Sequence, residues 1–148
     1  MGLPKKKSLA KKSGMQIQIK RAGESDTRDI AEFVHKLFPN ARAELENTHI
    51  FFAAKQGREL VGFAHLKIVE NTIYLQGIGV APEFRKKGIG TRLLENALAE
   101  CGKKYPEMPV CLKVKPENTD AIRLYAKVGF CLQKACAGAY LLKKMTPN

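Results

Sequence analysis

Arg85, Lys86 and Lys87 stand directly before Gly88-Ile89-Gly90-Thr91, at the point where a strand ending at Val80 gives way to a helix. The first amides of a helix have no internal partners, and the helix dipole adds partial positive charge there. Glycine lets an anion reach such amides without meeting a Cβ. Three cations beside the same amides raise the expected ligand charge, so the chemistry indicated is the grip of a diphosphate or larger anion. Two nucleotide patterns do not fit. The Walker spacing G-x-x-x-x-G-K-[ST] is missing. The dinucleotide pattern G-x-G-x-x-G belongs after the first strand of a fold, whereas this loop follows a fourth strand and reads R-x-x-G-x-G.

The elements that position this loop follow from periodicity. Met15, Ile17 and Ile19 alternate with polar residues and predict a first strand over 15–22. Ser25 or Asp26 is placed to cap a helix carrying Ile30, Phe33, Val34, Leu37 and Phe38. A short second helix is expected over 41–46. Strands are predicted over 49–54 and 59–68, joined at Gln56-Gly57-Arg58, and over 72–80. Gly77 and Gly79 inside the last of these point to a bulge or a close backbone approach. A long helix is expected from Ile89 to Lys104, then a strand over 110–114. Asn118 or Thr119 caps another helix that Gly129 stops, and a hairpin over 130–144 closes the chain. Strand 72–80, the long helix and strand 110–114 form a β-α-β unit, which implies parallel pairing.

Composition sets the outer bounds. The 148 residues suit one domain, read as 15–148, preceded by a flexible basic tail over 1–14 that holds Lys5, Lys6, Lys7, Lys11 and Lys12. That tail reads as a solvated arm, with an RNA or ribosome contact as the sharper alternative. The net charge of +12 favours anionic partners. No apolar run is long enough for a membrane span, no membrane partner is expected, and a cytoplasmic location is expected. Cys101, Cys111, Cys131 and Cys136 make no C-x-x-C pair and have no histidine at zinc-finger spacing. They are read as reduced, mostly core thiols, and no metal site is expected.

Arg85-Lys86-Lys87-Gly88-Ile89-Gly90 resembles the [QR]-x-x-G-x-[GA] signature of GNAT acetyltransferases. Ile78 to Phe84 looks like that family's strand-and-turn lead-in. Asn118 to Phe130 is similar to its second cofactor-side motif, N-x-x-A-x-x-L-Y-x-x-x-G-F. With the element order, the resemblance covers residues 15 to 145. It implies an α/β (α+β) fold with a central, mixed, mostly antiparallel sheet of six to seven strands and about four helices. It implies acetyl-coenzyme A as co-substrate and an amine as acceptor. The pantetheine arm would lie along Ile78, Gly79 and Val80. The diphosphate would rest on the amides of Arg85, Lys86, Lys87, Gly88, Ile89, Gly90 and Thr91, and Asn118 would touch the arm or the adenosine side. Tyr125 matches the tyrosine facing the thioester sulfur and would act as general acid, since a phenol holds its proton at neutral pH. The amide of Val80, expected at a bulge, would face the developing oxyanion.

The family's general base is missing. One usual glutamate position holds Tyr74 and another holds Lys113. Gln76 could position a water. Glu70 and Glu107 are rim candidates that read more simply as solvated charges. His65 could titrate in the right range but reads more simply as a satisfied sheet histidine. A small-molecule amine is the favoured acceptor. A protein lysine or N-terminal acetyltransferase is the first alternative, with Lys113 counting against the N-terminal form. A non-catalytic module binding coenzyme A, RNA or the ribosome is the second. Acceptor choice would be set by residues 38–46 and 135–140. A homodimer is open.

Overall fold

The computed structural model describes residues 16–23, 26–39 and 49–145. The tail read over 1–14 and the short helix read over 41–46 lie outside them. The elements are β1 (Ile17–Arg21), α1 (Thr27–Leu37), β2 (His49–Gln56), β3 (Glu59–Val69), β4 (Thr72–Val80), a 3-10 turn (Pro82–Phe84), α2 (Ile89–Lys104), β5 (Val110–Val114), α3 (Thr119–Lys127), β6 (Phe130–Cys136) and β7 (Ala139–Lys144). Three α-helices are therefore present among the described residues, where about four were expected. Among these residues no helix is long and apolar enough to cross a membrane.

One seven-stranded sheet runs in the order β1-β2-β3-β4-β5-β7-β6. Each pair is antiparallel except β4 with β5. Helices pack on both faces of the sheet. On one, Ile30 and Val34 of α1 pack over Phe51, Ala53 and Phe63. On the other, α2 presses Ile89, Leu93, Leu94, Ala97 and Cys101 against Val61, Ala64, Leu66, Ile73 and Leu112. Leu93 and Leu94 have no exposed area, so each contributes roughly 1.5–3 kcal/mol of burial. The i, i+4 spacing from Ile89 through Leu93 and Ala97 to Cys101 is what aims α2 at the sheet.

Three expectations change. Of the two cap candidates, Ser25 lies outside the described residues, and Asp26 occupies the N-cap position of α1 but makes no side-chain cap. Its carboxylate instead accepts from the Gly23 amide and pairs with Lys55 on β2. The bulge in β4 lies at Gln76, where the register with β3 slips from His65–Gly77 to Leu66–Leu75, and not at Val80. The thiols are not mostly core: only Cys101 is buried, Cys111 is half-buried, and Cys131 and Cys136 are exposed. The last two sit on β6, an edge strand whose residues after Phe130 are all exposed. All four are free. Asn118, by contrast, caps α3 as expected, accepting from the Ala121 amide at 3.2 Å.

Candidate active site

β4 and β5 pair only through Ile73–Val110, Tyr74–Cys111 and Leu75–Leu112. Beyond those three pairs the strands part, and β4 runs on from Gln76 to Val80 bonded to β3 alone. The Ala81 amide donates to the Val61 carbonyl at 2.8 Å. That bond fixes the phase of the antiparallel ladder, in which bonded and non-bonded pairs alternate. Phe63–Gly79 is then a bonded pair, while Gly62–Val80 and Ala64–Ile78 are not. The amides and carbonyls of Ile78 and Val80 therefore turn away from β3, into the gap. Such an edge can take an added extended chain.

The gap widens into a cavity of about 640 Å³, within the range of small-molecule sites. Its floor is Ile78, Gly79 and Val80; its rim is the loop 85–91; Asn118, Ala121 and Tyr125 of the α3 region form the far wall. In the loop, Lys86 and Gly88 both take left-handed backbone angles, φ 61° and 81°. Alternation of left-handed and ordinary residues gathers successive N–H groups into a concave nest for an anion. The first bond of α2 runs from the Arg92 amide to the Gly88 carbonyl, so the amides of Ile89, Gly90 and Thr91 precede the helical ladder. Glycine at 88 is required by its angle; an L side chain there is strained. Arg85 turns back, its Nε donating to the Val80 carbonyl at 2.9 Å. It thus braces the turn, and leaves the Val80 amide as the polar group facing the gap.

Ten of the eleven expected ligand residues line this cavity: Ile78, Gly79, Val80, Arg85, Lys86, Gly88, Ile89, Gly90, Thr91 and Asn118. Lys87 is exposed and outside the lining. The side-chain oxygen of Asn118 is committed to its helix, so a ligand contact falls to its amide nitrogen. Phe84, Asp120, Ala121 and Leu124 also line the cavity and were not expected. Phe84 and Leu124 also pack on the core.

Tyr125 is half-buried, with its ring edge-on to Phe130 at 5.9 Å between centroids. Burial pushes its phenol above the ordinary tyrosine value. A proton is therefore held there throughout the neutral range. Phe38, at the end of α1, reaches the cavity from the opposite side of the sheet. A Cβ added at Gly79 would lie 2.5 Å from the Phe63 ring and 2.9 Å from Leu37. The glycine is thus what lets α1 and its phenylalanines close against β4. At Gly77 the same construction meets nothing within 4 Å. With Phe38 in its lining, the cavity reaches the α1 side of the sheet.

The rim carboxylates fail on topology. Glu70 precedes the start of β4, and Glu107 precedes the parallel β5. Both lie at the end of the sheet remote from Val80, which is eight residues up β4, about 26 Å at strand rise. His65 lies directly across from Gly77. Its ring stacks on Phe51 at 4.2 Å and its Nε2 is hydrogen-bonded to His49 Nδ1 at 2.8 Å. The reading as a satisfied sheet histidine is met.

The fold recurs in known proteins. Residues 18–130 match the Acetyltransferase (GNAT) family. The N-alpha-acetyltransferase of Saccharolobus solfataricus is 33% identical over 82 residues, 53% of this chain and 49% of that protein. The chain spans about half the length of the curated relatives it matches. Among solved structures, the ribosomal-protein-S18-alanine N-acetyltransferase of Escherichia coli superposes with a TM-score of 0.72 at 20% identity, covering 89% of this chain and 97% of that one. The PaiA N-acetyltransferase of Thermoplasma acidophilum, solved with coenzyme A, gives 0.71 at 21%, covering 89% and 100%. The parted β4 and β5, the glycine-and-cation loop at the head of α2 and the family match over most of the chain agree: it belongs to the GNAT acetyltransferase family.

Proposed function

We propose that this chain transfers the acetyl group of acetyl-coenzyme A to the α-amine of a polypeptide N-terminus. The observation that carries the acetyl-coenzyme A half is the cavity joining the loop nest, the unpaired edge of β4 and Tyr125. A nest for a diphosphate, an edge for an amide-bearing arm and a protonated phenol at the arm's end match that carrier group by group. The acceptor reading departs from the small-molecule amine favoured by sequence. It rests on relatives named as N-alpha-acetyltransferases and on a neighbour named for a ribosomal protein's alanine. Lys113, in place of a strand-five glutamate, no longer counts against it once another proton acceptor is at hand.

The chain's own groups then divide the work. The carrier supplies an activated acyl thioester. The edge of β4 orients its arm, and the Val80 amide donates to the carbonyl oxygen as negative charge builds there. Tyr125 gives its proton to the departing sulfur. The amine arrives from the α1 side and must shed a proton; His65, with His49 hydrogen-bonded behind it, takes that proton through water. The test is turnover of acetyl-coenzyme A with a panel of N-terminal peptides, N-blocked lysine peptides and small amines, read as free thiol and as acetylated product by mass spectrometry. Product on free peptide N-termini supports the reading. Product confined to lysine side chains or small amines refutes its acceptor half.

A further inference from the structure

Among the described residues, the side of the sheet that carries α1 is covered over β2, β3 and the Gly79 end of β4. The same side continues across β4, β5, β7 and β6. There the register places Lys67, Tyr74, Cys111 and Lys143 in one paired row. Lys113 and Lys134 flank Leu141 in the next. Alternation settles the direction of these side chains. Leu66, Ile73, Leu112 and Leu142 enter the core beneath α2 and α3, so the residues between them face the other way. Lys113 and Lys134 are exposed; Lys67 and Lys143 are half-buried. Among the described residues, no strand position from β3 to β6 on that side is Asp or Glu, and none of the four lysines is in an ion pair. Lys113 is the first residue of β5 after its pairing with β4 ends. It therefore stands beside the point where β4 and β5 part.

We propose that this lysine face selects polypeptide acceptors whose residues just after the reactive amine are acidic. The inference rests on the N-terminal reading above and narrows it. An amine at the gap puts its following residues over β5 and β7: strands lie about 4.8 Å apart and an extended chain spans about 3.3 Å per residue, so the second to fourth positions reach Lys113 and Lys143. Charge complementarity also argues against a second copy of this chain as the occupant, since a two-fold contact would set the same lysines against each other.

The test compares kcat/KM for peptides sharing a first residue and bearing Glu, Gln or Lys at positions two to four. Wild-type protein is set beside Lys113→Glu, Lys143→Glu and the α2 control Lys103→Glu. Acetyl-coenzyme A affinity by calorimetry serves as the check on folding. The expected preference for Glu over Gln peptides is about 10-fold, from two or three exposed charge pairs at roughly 2- to 5-fold each. It falls with added salt and is lost in the first two variants alone. Equal rates for Glu and Gln peptides, or a preference untouched by Lys113→Glu and Lys143→Glu, overturn the inference and leave N-terminal transfer standing. No acetylation of any peptide by protein that binds acetyl-coenzyme A overturns the N-terminal reading, and this inference with it.

Discussion

Gly79→Ala isolates the link between core packing and the cleft. Gly79 takes no left-handed angle, so alanine meets no torsional objection and the whole effect is steric. Its new methyl would sit 2.5 Å from Phe63 and 2.9 Å from Leu37, against the ~3.5–4.0 Å of a relaxed carbon contact. Leu37 can yield by rotating its tip. Phe63 cannot yield easily: it is 3% exposed and its ring is met edge-on by Phe33 at 6.0 Å and Phe38 at 6.2 Å. Forcing it back by about 1 Å falls in the overpacking range, ~2 kcal/mol. For a domain of this size that lowers Tm by roughly 4–8 °C. Because Phe38 lines the cavity, acetyl-coenzyme A affinity should fall as well. Thermal unfolding by circular dichroism and calorimetric titration read the two effects. The double variant Gly79→Ala/Phe63→Leu should recover part of the loss relative to Phe63→Leu alone, as coupled neighbours do. An unchanged Tm for Gly79→Ala, or strict additivity in the double variant, refutes the packing argument.

Other outcomes follow from the same geometry. Tyr125→Phe should lower kcat about 10-fold or more while leaving acetyl-coenzyme A affinity near wild type. Since burial raises the Tyr125 pKa, the acid function proposed for it is intact below the ordinary tyrosine value. It is lost only as pH climbs beyond that value, so the alkaline limb of kcat should lie high and vanish in the phenylalanine variant. Burial drives the Cys101 thiol up to about 11; alkylation of native protein followed by peptide mapping should modify Cys131 and Cys136 and spare Cys101. Lys55 holds the Asp26 carboxyl below its usual value. The pair's contribution is therefore present above the unfolded carboxylate pKa and fades as pH falls through the lowered one. Asp26→Asn should cost roughly 0.5–1 kcal/mol in urea unfolding at neutral pH, a part-exposed pair being worth no more, and nothing at strongly acid pH.

The parts of the fold legible in the sequence were those written in local patterns. β4, α2 and β5 have the bounds their periodicity and glycines predict, and the loop and Tyr125 lie on one cavity because their motifs flank one β-α-β unit. What escaped was set by partners far along the chain. Asp26 reads as a helix cap, yet its carboxylate goes to Lys55, 29 residues away. The bulge at Gln76 depends on the register with β3, which two glycines do not reveal. Glu70 and Glu107 resemble rim bases until parallel pairing places both at the wrong end of the sheet. The lysine face is invisible in one dimension, since Lys67, Lys113, Lys134 and Lys143 come from four strands.

The claim on which the account depends is that the amides of the 85–91 loop and the free edge of β4 hold the carrier. Titrating coenzyme A into uniformly 15N-labelled protein tests it most directly. Saturable amide shifts are expected, largest at Ile78, Val80 and Lys86 to Thr91, and small on β6 and β7. Saturable shifts centred on the lysine face or on α1, with the loop amides unmoved, would contradict it.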